Sequence, residues 1–124
     1  MNYCKLYIDV EMGIEELQAL IDDNVENFFE SGSVDVIVFQ NENYQVSSNV
    51  HSTTYPVDRS RYYVEIEPAS DRDLEKFTFE SAIAQLVNWL RKECEYVVAS
   101  CEFEDYIVEQ TGWNWTPENP LPPR

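Results

Sequence analysis

The stretch Thr78–Phe103, TFESAIAQLVNWLRKECEYVVASCEF, decides the fold. Its first half repeats apolar residues at helical spacing: Ile83, Leu86, Val87 and Leu90 form a stripe, with Ala82 and Trp89 beside it. Thr78 suits an N-cap, and Arg91 and Lys92 occupy the last turn, where the helix dipole favours cations. The second half switches to a period of two. Over Tyr96–Phe103, the side chains of Val97, Ala99, Cys101 and Phe103 point one way, and Val98, Ser100, Glu102 and Glu104 the other.

The N-terminal end shows the reverse order, strand then helix. Over Tyr3–Glu11, Cys4, Leu6, Ile8 and Val10 alternate with Tyr3, Lys5, Tyr7, Asp9 and Glu11. Gly13 breaks the strand. Ile14, Leu17, Leu20/Ile21, Val25 and Phe28 then predict an amphipathic helix of about four turns, stopped by Ser31-Gly32-Ser33. Between these blocks, Val34–Gln40 is rich in Val, Ile and Phe and reads as a strand. Asn41-Glu42-Asn43 is a turn, a short return strand is expected near Tyr44–Ser47, and 48–61 is a polar loop around Pro56. Tyr62–Glu67 alternates again and Pro68 ends it. Residues 69–77 form a charged connection with room for one helical turn, and 105–111 fit either more strand or a short helix.

The order β-α-β-(β)-β-α-β predicts an α+β, two-layer sandwich. It has a four- to five-stranded, mostly antiparallel sheet with two helices on one face, a ferredoxin-like core. The first and last strands then pair, which brings Cys4 and Cys101 together in the core. Residues 1–111 are expected to form a single domain. Residues 112–124 hold four of the six prolines and both Trp113 and Trp115; they predict an extended tail that packs back on the domain.

The chain has 124 residues, 44% of them apolar, enough to fill a core. Twenty-four acids face eight bases, for a formal net charge of −16. Such a field repels phosphate backbones and anionic bilayers, which argues against nucleic-acid or membrane partners, and it attracts a basic protein. Three cysteines form neither a disulfide framework nor a zinc spacing. The first residues lack the pattern of a signal peptide, and no apolar run approaches the roughly 18 residues of a membrane span. A cytoplasmic location is expected.

Catalytic signatures are sparse. His51 is the one histidine and sits in a polar loop without the surroundings of a nucleophile elbow. The three glycines are isolated, which excludes phosphate-cradling loops. Carboxylates are the abundant functional group. Glu65/Glu67 and Glu102/Glu104 each place two acids on one expected strand face, about 7 Å apart. Such pairs can hold a divalent cation or do acid–base work, yet in so acidic a chain they arise easily. No cofactor, metal site or enzyme activity is expected; a carboxylate enzyme or divalent-metal protein, and a homo-oligomeric adaptor, are the alternatives. The sheet face away from the helices is expected to mix Tyr3, Tyr7, Phe39, Tyr63 and Ile37 with Asp9, Glu65, Glu67, Glu102 and Glu104. An aromatic patch rimmed by one sign of charge reads as a partner-binding surface, with the acidic first helix as the alternative.

In length, charge, tyrosine–acid mixing and an α+β order ending in an aromatic, Pro-rich tail, the chain resembles the immunity proteins of bacterial polymorphic and contact-dependent toxin systems. The resemblance implies a small cytosolic inhibitor, monomeric or weakly dimeric, that binds and neutralises a cognate basic toxin domain such as a nuclease. It aligns no motif and assigns no residue.

Overall fold

The computed structural model describes residues 2–44 and 55–123. Alternation becomes strand where one side of the segment can be buried. β1 (Cys4–Asp9) and β3 (Tyr62–Pro68) bury every second residue, Cys4, Leu6 and Ile8 in one and Tyr62, Val64 and Ile66 in the other. With β2 (Val34–Gln40) and β4 (Tyr96–Ser100) they form one sheet in the order β2-β3-β1-β4. All three pairings are antiparallel. This is the strand order of a ferredoxin-like core, with first and last strands adjacent as the sequence predicts.

Two long helices supply the second layer. α1 (Ile14–Asn24) buries Leu17 and Ile21 and runs on into a 3-10 turn, Val25–Asn27, so the expected four-turn helix ends tighter than an α-helix. α3 (Lys76–Glu93) buries seven residues, among them Phe79, Ile83, Leu86, Val87 and Leu90. These join the inward residues of all four strands in one apolar cluster.

Local chemistry moves several boundaries. α3 starts two residues before Thr78. Its cap is Glu75, whose carboxylate accepts the backbone N–H of Phe77 (3.0 Å) and Thr78 (3.1 Å). The polar loop contains a one-turn helix, α2 (Pro56–Arg59), with Pro56 at its start, where a missing N–H costs nothing. β4 stops at Ser100 rather than Phe103. The Glu104 carboxylate accepts the Cys101 N–H (3.0 Å), the chain turns, and α4 (Glu104–Thr111) follows. Glu102 and Glu104 therefore do not share a strand face. The expected return strand near Tyr44–Ser47 and His51 lie outside the described residues, Tyr44 excepted, which is in no strand.

Phe103 and Ile107, one helical turn apart, both reach the main core, and Phe103 packs edge-on to Phe79. Cys4 and Cys101 meet where β1 and β4 run out. The neighbouring Cys101 thiol, with burial adding to it, holds the Cys4 thiol well above its ordinary pKa, and Cys4 in turn lowers that of Cys101.

Gly112 closes α4 in the left-handed region (φ 92°), where a side chain would be strained, and sends the tail back across β4. Trp113 is buried edge-on against Tyr96 at 6.1 Å between centroids. Together with Val98 and the half-buried Trp115 they form a second apolar cluster on the opposite side of the sheet. β4 is thus buried on both faces. The Arg91 guanidinium ties the layers together. It donates to the Val97 carbonyl (2.9 and 3.1 Å), Thr111 Oγ1 (2.8 Å), the Trp113 carbonyl (2.8 Å) and Asn114 Oδ1 (3.4 Å).

Side-chain amides occupy both outer edges of the sheet. On β2, Gln18 of α1 accepts from Val38 N (2.9 Å) and donates to the Val36 carbonyl (3.1 Å). On β4, Asn114 accepts from Ala99 N and donates to its carbonyl, both at 2.9 Å. Each amide copies the donor and acceptor of a neighbouring strand.

Two substitutions test the seam between β4 and the tail. Arg91→Lys loses the planar fork and is expected to cost about 2–3 kcal/mol. Trp113→Ala is expected to cost about 3–5 kcal/mol. Denaturant unfolding of the purified variants measures both; unchanged midpoints would mean that the tail adds nothing to the fold.

Candidate partner-binding surface

The outward residues of β1, β2 and β3 form rows that the register fixes. Phe39, Tyr63 and Tyr7 lie side by side across the three strands. Phe39 stacks on Tyr63 at 5.0 Å and Tyr63 tilts against Tyr7 at 6.4 Å. One row down come Ile37, Glu65 and Lys5, and below them Asp35 and Glu67 pair directly, close to Tyr3. The expected aromatic face exists as a ladder rather than as scattered tyrosines.

Charge is distributed differently from a uniform acid–aromatic mixture. Lys5 sits among the rings, its Nζ 4.3 Å from the Tyr63 centroid and 5.2 Å from that of Tyr7. Asp9 is committed to structure. It accepts the Arg61 N–H (3.2 Å) and pairs with the Arg61 guanidinium (3.4 Å). Arg61 also donates to the Val10 carbonyl (3.0 Å) and to the Tyr44 hydroxyl (3.2 Å). This end of the face is neutralised internally.

The acids that remain gather at the opposite end. Asp35 and Glu67 stand directly opposite each other, with Glu65 two residues along the same face. No described cation pairs with any of the three. Glu65 raises Tyr3: burial, then the nearby Glu65 charge and the hydrogen bond to it, hold the Tyr3 hydroxyl at a pKa of about 12. Glu102 and Glu104, displaced from the strand by the turn into α4, line a shallow hollow of about 310 Å³ with Tyr3, Ser100 and Cys101. They stand at the acidic end but not in the sheet's rows. Of the expected site residues, Tyr7, Phe39 and Tyr63 form the ladder, and Tyr3, Glu65 and Glu67 the acidic end. Asp9 is spent on Arg61.

Three contributors were not expected from the sequence. Lys5 reads there as one more polar residue in an alternation. Asp35 gains meaning only through its register with Glu67. The third is the wall around the ladder: Asn41 is buried and its amide donates to the carbonyls of Val57 (2.8 Å) and Ser60 (2.7 Å). That staple places Val57 at the rim of a groove of about 380 Å³ that Lys5, Tyr7, Phe39 and Tyr63 also line. On the β4 side, Tyr55 leans on Trp115 at 5.5 Å, so the tail covers that flank and leaves the ladder open. Among the described residues no group of three or more His, Cys, Asp or Glu is placed to hold a metal ion, and no helix is long and apolar enough to cross a membrane.

Tyr3 and Tyr96 both ionise late. Burial lifts Tyr96 to about 12 against the opposing pull of Arg59 and Arg91. The unfolded chain gives up these protons near pH 10. Between about pH 10 and about 12 the folded state binds more protons than the unfolded one, so stability falls as pH rises through that window. Tyr3→Phe is expected to flatten the fall in denaturant titrations stepped across it; an identical pH profile would place Tyr3 in water. Comparison with known protein families, with curated proteins and with solved structures finds no match to this chain.

Proposed function

We propose that this chain is an immunity-type inhibitor, a non-enzymatic cytoplasmic protein that binds and neutralises a basic toxin domain. The Asp35–Glu67 pair carries the reading. Two like charges directly opposite on adjacent strands destabilise a sheet by a few tenths to about 1 kcal/mol, and no described cation relieves them. A structural role gives no reason to keep them; a Lys- or Arg-lined cleft on a partner does. Glu65, Glu102 and Glu104 extend the same acidic end.

The aromatic ladder supports the reading from the side of affinity. Rigid rings beside a groove are suited to be buried anchors, while the acids steer approach and fix register. Ile37, 51% exposed on the same face, adds apolar area. A nuclease toxin presents cations to phosphates, and an acidic sheet end can occupy that cleft in their place.

The two roles of Asp35 separate experimentally. Asp35→Asn is expected to raise the stability of the free protein by about 0.2–1 kcal/mol and to weaken the complex. The complex itself is tested by identifying the proteins encoded next to this chain and co-expressing it with any basic toxin-like domain found among them. Copurification and protection of the host are expected, both lost on Tyr63→Ala combined with Glu67→Lys. Failure to copurify or to protect would refute the proposal.

A further inference from the structure

A second cavity lies away from the aromatic ladder. It measures about 590 Å³ and opens between the end of α3, the start of β4 and the tail. Arg59, Arg91 and Lys92 line it together with Tyr96, Trp113 and Leu121. Three of the chain's eight basic residues thus meet at one place on a protein with 24 acids.

None of the three forms an ion pair with a described carboxylate. Arg91 and Lys92 have a structural reason to be there, since the last turn of a helix favours cations. Arg91 is also consumed by its carbonyl and side-chain acceptors. The helix accounts for neither Arg59 nor Tyr96. Arg59 comes from α2 and lays its guanidinium 3.9 Å from the centre of the Tyr96 ring. Tyr96 is 1% exposed, and its buried hydroxyl has no hydrogen-bond partner. Leaving a buried hydroxyl unpaired costs about 1–3 kcal/mol, and a second cation held without a carboxylate adds to the local imbalance. Glu95 is the one acid lining the cavity, and it is exposed.

We propose that this cavity is a binding site for a small oxyanion carrying an apolar body, a phosphate monoester or a carboxylate. Arg59 and Lys92 hold the anionic head, and the Tyr96 hydroxyl donates to it once Arg59 moves from the ring to the ligand. Arg91 contributes charge without a free donor. The Trp113 ring and Leu121 receive the apolar body. The volume suits a ligand of drug-like or metabolite size. The net charge of the chain does not forbid this, because salt screens distant acids within about 8 Å while the lining cations act at contact.

The test is an NMR and calorimetric titration of the whole chain with phenyl phosphate, benzoate and phenol. Saturable binding of phenyl phosphate or benzoate is expected, in the millimolar range or tighter, with shifts at the Trp113 indole and Arg59 amide and weakening as salt is raised. Which of the two binds tighter distinguishes a phosphate from a carboxylate ligand. Arg59→Ala combined with Lys92→Ala is expected to weaken binding at least tenfold. Tyr96→Phe deletes an unpartnered hydroxyl, so the free protein is expected to keep its stability while binding weakens. Equal binding of phenol, unsaturable shifts spread over surface cations, or undiminished binding by either variant would overturn the assignment.

Discussion

One half-buried guanidinium holds this fold together at the point where its parts are least related. Arg91 closes α3, yet its donors end on β4, on the last turn of α4 and on the tail. Every partner is a neutral oxygen. In a chain with three acids for each base, that choice matters: a carboxylate there would have brought a second ion to desolvate, whereas carbonyls already turned inward need only a donor. The edge amide of Asn114, the seat of Trp113 and the double burial of β4 all follow from where Arg91 places the chain after Gly112. Because its acceptors are carbonyls, a hydroxyl and an amide, salt should weaken this joint far less than it weakens the surface pairs.

What was legible in the sequence was whatever depends on one side of an element being buried. The period-two alternation of β1 and β3 and the apolar stripe of α3 translate directly into strand pairing and helix packing, and with them the strand order. β4 ended early because two periods coincide there. Cys101 and Phe103 continue the alternation, but Phe103 also stands four residues before Ile107, and the Glu104 carboxylate turning back to Cys101 N selects the helix. No residue-by-residue alternation can show a carboxylate reaching back three residues. Thr78 was the better capping residue by type, yet Glu75 caps through the length of its side chain.

The candidate surface was legible to the same depth. Alternation put Tyr7, Phe39 and Tyr63 on one face, because that requires only parity. It could not arrange them as neighbours, since that depends on register between strands far apart in the chain. Register likewise separates the charges: Asp9 is matched with Arg61 at one end, and Asp35 meets Glu67 at the other. On this face the charge therefore resolves into a compensated end, a cation-tipped aromatic middle and an uncompensated end. The Arg59–Tyr96 contact was invisible for a similar reason, being made by a one-turn helix and a strand that are distant in sequence.

Gln18 and Asn114 carry a consequence for evolution. With an amide already seated at the middle of each edge strand, a visiting peptide cannot pair along the whole edge without displacing a side chain. Recognition is then shifted toward side chains. A main-chain reader is insensitive to sequence and accepts many visitors; a side-chain reader changes its preference with each substitution. The frame can then stay constant while the ladder and the acidic end drift with whatever they meet, so related chains would be expected to keep the two amides and vary in the rows between them.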